Sequence, residues 1–174
     1  MNLFWLSTDP RIAAQYHVDR HVVKMILEAA QLACSALWES GVVDLDGNPS
    51  DDAPPYKLTH RNHPCAVWTR ESVENYQWVV EYLAALAEEY TFRYGKTHKT
   101  AQYIEWFRAR RPNVGSLGLT VPPCAMPDVY KISTESPTFN SVVESYWWYY
   151  ALGKQHLHSW KHREPPEMLA VYLL

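Results

Sequence analysis

The sequence is poor in cysteine and has no long apolar run. Its three cysteines, Cys34, Cys65 and Cys124, are widely spaced and form no CxxC pair. This pattern argues against a disulfide framework or a zinc knuckle and predicts a reducing compartment. The segment Met1–Ser7 is too short and too poor in basic residues for a signal peptide. No apolar run approaches the roughly 18 residues of a membrane span. We therefore expect a cytoplasmic protein with no membrane partner.

Motifs of several large enzyme classes are also missing. The chain contains no GxGxxG, no Walker loop, no GxSxG, no HExxH, and no HxE followed by PCxxC. These motifs mark nucleotide-cofactor enzymes, serine hydrolases, zinc proteases and nucleobase deaminases. The sequence gives no support to any of these classes, and we expect no cofactor.

Length and composition predict one mainly helical domain over residues 1–174. Apolar residues make up 47% of the chain and charged residues 20%, which is typical of a globular protein. Strands do not alternate with helices, so the class is all-α. The run Leu3–Leu6 is either one short N-terminal strand or a segment packed on the core.

Capping residues and apolar spacing place the helices. Asp9 and Pro10 suit a helix start, and a break near Asp19 divides a short helix from a longer one. Pro64 opens another helix, and Val73–Tyr94 is a long one. Other predicted elements are a helix capped by Thr97 and running through Arg111, a long loop over residues 112–137, and a last helix from Asn140 or Ser141 towards Trp160.

The charge and the aromatic residues leave the partner open. The net charge of -3 and pI of about 6.2 are low for a nucleic-acid-binding domain, although basic clusters lie at residues 93–111 and 154–163. Such clusters can meet a phosphate backbone or be ordinary solvated helix faces. Aromatic residues make up 14% of the chain, and each ring is either a core residue or part of a stacking surface.

A polar stripe follows the first long helix. Its members recur every three or four residues, which places them on one face; they are His17, His21, Lys24, Glu28, Gln31 and Ser35. The stripe is either a solvent-exposed face with a Lys24–Glu28 pair or the wall of a cleft whose groups titrate one another. The apolar flanks favour the cleft.

A second polar segment, Tyr56–Pro64, carries two histidines in a loop that enters a helix. Free N–H groups at a helix start can bind an anion such as phosphate. The histidines of both segments, His17, His21, His60 and His63, together with Asp19, could also hold a metal. A third polar segment, residues 88–98, lies at a helix end.

Several segments resemble known families. The stretches resembling a family of small proteins common in tailed-phage genomes are Asp9-Pro10, His17–Glu28, Tyr56–Trp68, Glu89–His98 and Ala125-Met126-Pro127-Asp128. More distantly, the layout resembles the pyrimidine-dimer DNA glycosylases of the endonuclease V type. Leu3–Leu6, Arg20 and Asn62-His63-Pro64 carry that similarity.

The resemblance implies a compact helical enzyme with an N-terminal α-amine as nucleophile and a glutamate that steers the sugar intermediate. Two departures stand out. His21 occupies the expected glutamate position, and Glu28 lies two turns further along. The large Asn2 favours retention of Met1, so the amine would belong to methionine.

We therefore predict a DNA- or nucleotide-acting enzyme, of the N-glycosylase/lyase type used in DNA repair or modification. Acid–base and nucleophilic roles are assigned to His17, His21, Lys24, Glu28, Met1 and Asp19. Substrate-binding roles are assigned to Arg20, Tyr56, His60, Arg61, Asn62, His63, Trp68, Arg93 and Lys96. The alternatives are a metal-dependent hydrolase built on the histidines and a non-enzymatic nucleic-acid-binding module.

Overall fold

The computed structural model describes residues 1–173, and helices dominate it. The helices are α1 (Pro10–Tyr16), α2 (Asp19–Ser40), α3 (Pro64–Thr69), α4 (Val73–Tyr94), α5 (Ile104–Arg108), α6 (Phe139–Trp148) and α7 (Met168–Tyr172). Strands β1 (Val42–Asp44) and β2 (Arg110–Pro112) pair antiparallel, with Val43 opposite Arg111. The predicted all-α class is confirmed, with this small sheet as a minor addition.

Local signals set the ends of the first helices as predicted. The Asp9 carboxylate accepts hydrogen bonds from the backbone N–H groups of Arg11 and Ile12, and Pro10 occupies the first turn. His17 and Val18 are extended, which separates α1 from α2. Gly95 ends α4 in a left-handed conformation, with φ of +63°.

Of the two alternatives for Leu3–Leu6, a short strand and a segment packed on the core, the structure shows the second. Leu3–Leu6 is buried, but it forms no ladder and instead turns within the core. The Asn2 side-chain oxygen accepts the N–H groups of Leu3 and Phe4, and Phe4 has a φ of +47°. A positive φ interrupts the regular conformation of a strand, and residues 3–6 pair with no strand within residues 1–173.

Two later helices differ from prediction. His98 rather than Thr97 caps a 3₁₀ turn at Lys99–Tyr103, and α5 stops at Arg108 because the chain then pairs as β2. Thr138 caps α6 through a capping box with Ser141. A π-helical turn, Tyr149–Gly153, follows α6, and α7 lies beyond it.

The core lies between α2, α4 and the N-terminal segment. Helices α2 and α4 pack against each other, and α1 packs on α4. Trp5 is fully buried and stacks on Trp78, with ring centroids 4.0 Å apart, while Trp68 meets Trp5 edge-on. These rings are core residues, as most aromatic residues in helical proteins are. None of the helices in residues 1–173 is long and apolar enough to cross a membrane.

Candidate active site at the amino terminus

The N-terminal amine meets a glutamate of α2. The Met1 α-amino nitrogen lies 3.7 Å from Glu28 Oε2, and the Asn2 backbone N–H donates to the same oxygen at 3.1 Å. The other carboxylate oxygen, Oε1, lies 3.3 Å from Lys24 Nζ. The Glu28 side chain is 12% exposed, whereas that of Lys24 is 64% exposed. One largely buried carboxylate therefore faces two primary amines.

Most of the predicted polar stripe faces the interior of the fold, and it also contains the Lys24–Glu28 pair that the solvent-exposed alternative named. His21, Glu28 and Ser35 of α2 are buried, as is His17 just before that helix, and Lys24 is the one stripe residue that is exposed. The face is covered by the N-terminal segment: the Phe4 ring stacks on His21, with centroids 4.2 Å apart. The stripe therefore forms the floor on which the N-terminal residues lie.

Both histidines of the stripe are held by buried tyrosines. His17 Nδ1 lies 2.6 Å from the Ala13 carbonyl oxygen and Nε2 lies 2.7 Å from the Tyr82 hydroxyl. His21 Nδ1 lies 2.7 Å from the Tyr150 hydroxyl, which also accepts the Val18 N–H. Burial is the main cause that lowers the pKa of His17 to about 4, and burial followed by nearby positive charges lowers that of His21 to about 2. Both rings are therefore neutral at physiological pH.

This burial makes the folded state sensitive to acid. The unfolded chain protonates each histidine near pH 6.5, whereas the folded chain does not, so stability is present above pH 6.5 and is lost as pH falls. For each of the two rings, we expect the free energy of unfolding to be about 1.4 kcal/mol lower at pH 5.5 than at pH 7.5. Urea unfolding at the two pH values measures this loss.

The matched comparison uses a buried and an exposed histidine. His21→Phe should reduce the pH-dependent loss by about 1.4 kcal/mol, while replacing the exposed His156 with glutamine should leave it unchanged. An equal pH dependence in wild type and His21→Phe would contradict the neutral buried state of His21.

His63 is the residue of the segment Tyr56–Pro64 whose pKa responds to the charges of the site. His63 caps α3, where its Nδ1 accepts the Cys65 N–H at 3.1 Å, so the neutral ring carries its proton on Nε2. Desolvation lowers the pKa of His63, the charges of the N-terminal amine and of His60 add to this, and Glu28 opposes it. His63 is thus within electrostatic reach of both the amine and Glu28.

Arg93 and Asp19 lie in a separate buried network. Arg93 is 1% exposed, and its Nε donates to Glu89 at 2.8 Å. Its two terminal nitrogens donate to Asp19, to the His17 carbonyl and to the Gln15 carbonyl. These contacts tie α4 to the break between α1 and α2. The structure does not bring Arg93 or Asp19 to the amine.

The remaining predicted residues are spread around the fold. Tyr56 bonds through its hydroxyl to Thr100, Arg61 pairs with Glu39, and Trp68 is 2% exposed in the core. The other members of the predicted set, His60, Asn62, Lys96 and Arg20, are exposed. Arg20 lies one turn before Lys24 on α2 and, with Lys24 and Lys154, contributes to the positive field at His21.

The structure does not assemble the predicted metal ligands. Within residues 1–173, no three His, Cys, Asp or Glu side chains converge in a way that could hold a metal ion. One ring nitrogen of His17 and one of His21 are already hydrogen-bonded to tyrosine hydroxyls. The histidine-based hydrolase therefore has no ligand set among the described residues.

Local sequence patterns give little sign of the residues that hold the N-terminal segment in place. Asn2 bonds to Ala125, and Tyr146 and Tyr150 reach the site from α6 and the π turn. The one local signal was Asn2, a polar residue directly before the apolar run Leu3–Leu6. The tyrosines gave no signal, because only long-range packing brings them to the N-terminus.

The family comparison agrees with this geometry. No curated protein and no solved structure matches the chain significantly. The family model described as pyrimidine dimer DNA glycosylase matches residues 1–103, which include the amine, Glu28 and His63. The match covers more than half of the 174 residues and confirms the resemblance carried by Leu3–Leu6, Arg20 and Asn62-His63-Pro64. The chain therefore belongs to the pyrimidine dimer DNA glycosylase family, whose members act on DNA.

Proposed function

We propose that this protein is a DNA glycosylase/lyase that attacks the sugar at a pyrimidine dimer with the α-amine of Met1. The observation that carries the proposal is the position of that amine, 3.7 Å from the largely buried carboxylate of Glu28. An amine beside a carboxylate in a site partly shielded from water is suited to covalent catalysis through a cationic intermediate.

The chemistry balances without a cofactor. The unprotonated amine forms a bond to C1′ of the sugar as the bond from C1′ to the base nitrogen breaks, and the base leaves with the electron pair. The nitrogen then loses one proton to the departing base. Its lone pair opens the sugar ring as O4′ takes up a proton, and the product is an iminium ion, the protonated imine between Met1 and C1′. In the lyase step a general base removes a proton from C2′, and the C3′–O bond breaks with the phosphate as leaving group.

Glu28 has a defined part in this sequence. Its negative charge stabilises the positive charge that develops on the sugar and on the iminium nitrogen. Its hydrogen bond from the Asn2 N–H fixes the carboxylate relative to the chain terminus. We assign the exchange of protons with the leaving base or with C2′ to His63, whose pKa responds to the charges of both groups.

Positively charged side chains beside the site are suited to contact the phosphate groups of DNA. Arg20 is exposed on α2, and Lys154 follows the π turn with its ammonium group 4.9 Å from the Tyr149 ring centroid. Neither side chain has a carboxylate partner among residues 1–173, whereas Arg61, Arg108 and Arg110 are all ion-paired. Free cations at the site on a chain of net charge -3 are suited to a local phosphate contact.

Borohydride trapping tests both the chemistry and the amine. We expect sodium borohydride to reduce the imine and give a covalent protein–DNA adduct on ultraviolet-irradiated duplex DNA and none on untreated duplex. The matched variant is Lys24→Arg, which retains the charge beside Glu28 but lacks a primary amine. We expect it to trap within about threefold of wild type, since a surface ion pair contributes little.

Peptide mass spectrometry of the adduct identifies the attacking nitrogen. DNA on the Met1 peptide supports the proposal, and the intact mass shows that Met1 is present. DNA on the peptide that contains Lys24, together with no adduct in Lys24→Arg, would assign the reaction to the lysine. No adduct and no strand breaks with wild type would reject the glycosylase/lyase activity.

A further inference from the structure

Asn2 connects the reactive terminus to a distant part of the chain. Its side-chain oxygen accepts the N–H groups of Leu3 at 2.7 Å and of Phe4 at 3.0 Å. Its side-chain nitrogen donates to the carbonyl oxygen of Ala125 at 2.7 Å. Asn2 is 8% exposed, so each of these bonds is costly to lose.

The backbone next to Asn2 is held in an unfavourable conformation. Phe4 has a φ of +47°, in a region that large side chains rarely adopt because it is sterically strained. The two hydrogen bonds to Asn2 and the stacking of Phe4 on His21 hold it there. The turn directs Met1 back towards Glu28 while Leu3 and Trp5 enter the core.

Residues 120–126, the segment to which Asn2 bonds, are hydrogen-bonded to the helices at two points. Thr120 exchanges hydrogen bonds with the buried Asn75 of α4, at 2.7 and 3.0 Å. Nearer to Asn2, the Tyr146 hydroxyl donates to the Pro123 carbonyl at 2.9 Å and accepts the Ala125 N–H at 3.2 Å. The segment 120–126 is therefore rigidly attached to α4 and α6 although it lacks regular secondary structure.

We propose that residues 120–126 form a clamp that holds the N-terminal turn, with Asn2 and Tyr146 as positioning residues that keep the Met1 amine at Glu28. The clamp lies outside residues 1–103, the part of the chain that matches the family model. Its catalytic meaning rests on the proposed function, because a covalent reaction needs the nucleophile to be held near its attack position. The clamp assigns a role to the long loop that the sequence alone left without one.

Amide hydrogen exchange tests the clamp without DNA. Tyr146→Phe removes the hydroxyl that fastens Ala125, and the matched control is Tyr76→Phe, another buried tyrosine whose hydroxyl donates to the Phe107 carbonyl at 3.1 Å. Loss of one buried hydrogen bond corresponds to about tenfold in an opening equilibrium. Relative to wild type, we expect the Leu3 and Phe4 amides to exchange about tenfold faster in Tyr146→Phe and at an unchanged rate in Tyr76→Phe.

The catalytic consequence is measured by imine trapping at saturating irradiated DNA. Asn2→Leu keeps a large second residue but removes all three side-chain hydrogen bonds. We expect Asn2→Leu and Tyr146→Phe to trap at least about tenfold more slowly than Tyr76→Phe, with an unchanged Kd for DNA. A purely structural role would lower the amount of folded protein and leave the trapping rate constant of that folded protein unaltered.

The outcomes separate the clamp from the proposed function. Unchanged exchange at Leu3 and Phe4 in Tyr146→Phe would overturn the clamp. Faster exchange with an unchanged trapping rate would overturn its positioning role. Absence of an adduct in every protein, wild type included, would overturn the glycosylase/lyase proposal, and the exchange result alone would then decide the clamp.

Discussion

Glu28→Gln is expected to slow imine trapping on irradiated DNA by about 10²–10³-fold, the usual cost of removing one preorganised electrostatic group from an active site. Glutamine has the same shape, and its side-chain oxygen can still accept the Asn2 N–H that now bonds to Glu28 at 3.1 Å. The terminus therefore stays in place, and only the negative charge that stabilises the cationic sugar is lost. Single-turnover trapping with enzyme in excess measures the effect.

The control for this charge removal is Glu81→Gln. Glu81 lies on α4, is exposed and pairs with Arg108 at 2.9 Å, so the same chemical change is made outside the site. Its trapping rate should equal that of wild type, and the Kd for DNA should be the same in all three proteins. A Glu28→Gln protein that traps at the wild-type rate would remove Glu28 from the mechanism.

The sequence predicted those parts of the fold that local chemistry decides. Asp9 and Pro10 start α1, and Gly95 ends α4, because capping and backbone conformation act within a few residues. Leu3–Leu6 was predicted as a possible strand because its apolar run satisfies that pattern. The hydrogen bonds of the Asn2 side chain turn this segment, and the apolar pattern does not predict those bonds.

The sequence predicted that polar residues share one helix face, but not which of them can react. Helical spacing correctly put His21 and Glu28 on one buried face of α2, whereas His17 lies before that helix, in the extended break after α1. Which of them can react depends on contacts from residues far along the chain: Tyr82 and Tyr150 occupy the histidines, whereas the chain terminus meets Glu28. Spacing along one helix holds no information about those partners.

Arginine shows the same limit. In sequence, Arg93 and Arg20 are equally good phosphate ligands. In the fold, Arg93 is enclosed by Glu89, Asp19 and two backbone carbonyls, whereas Arg20 remains exposed beside the site. A buried arginine with all its bonds made inside the protein stabilises the fold, and removing it would leave the buried Glu89 with Arg163 as its remaining ionic partner.

Blocking the α-amine of Met1 is expected to abolish imine trapping altogether, the largest effect of any change to this protein. Two residues added before Met1 convert its nitrogen to an amide, whose lone pair is delocalised into the carbonyl group and cannot attack C1′. The new terminus also lies beyond the position that Glu28 and Asn2 define. Trapping and strand cleavage on irradiated DNA should both fall below detection.

Restoration of the native terminus is the control that makes this result specific. An extension ending in a protease site that leaves Met1 as the first residue should inactivate the protein before cleavage and restore the wild-type trapping rate afterwards. DNA affinity and thermal unfolding, measured on both forms, show whether the extension has disturbed the fold. If the extended protein still forms an adduct, and Lys24→Arg in that protein removes it, the nucleophile is Lys24, whose ammonium group lies 3.3 Å from the same carboxylate.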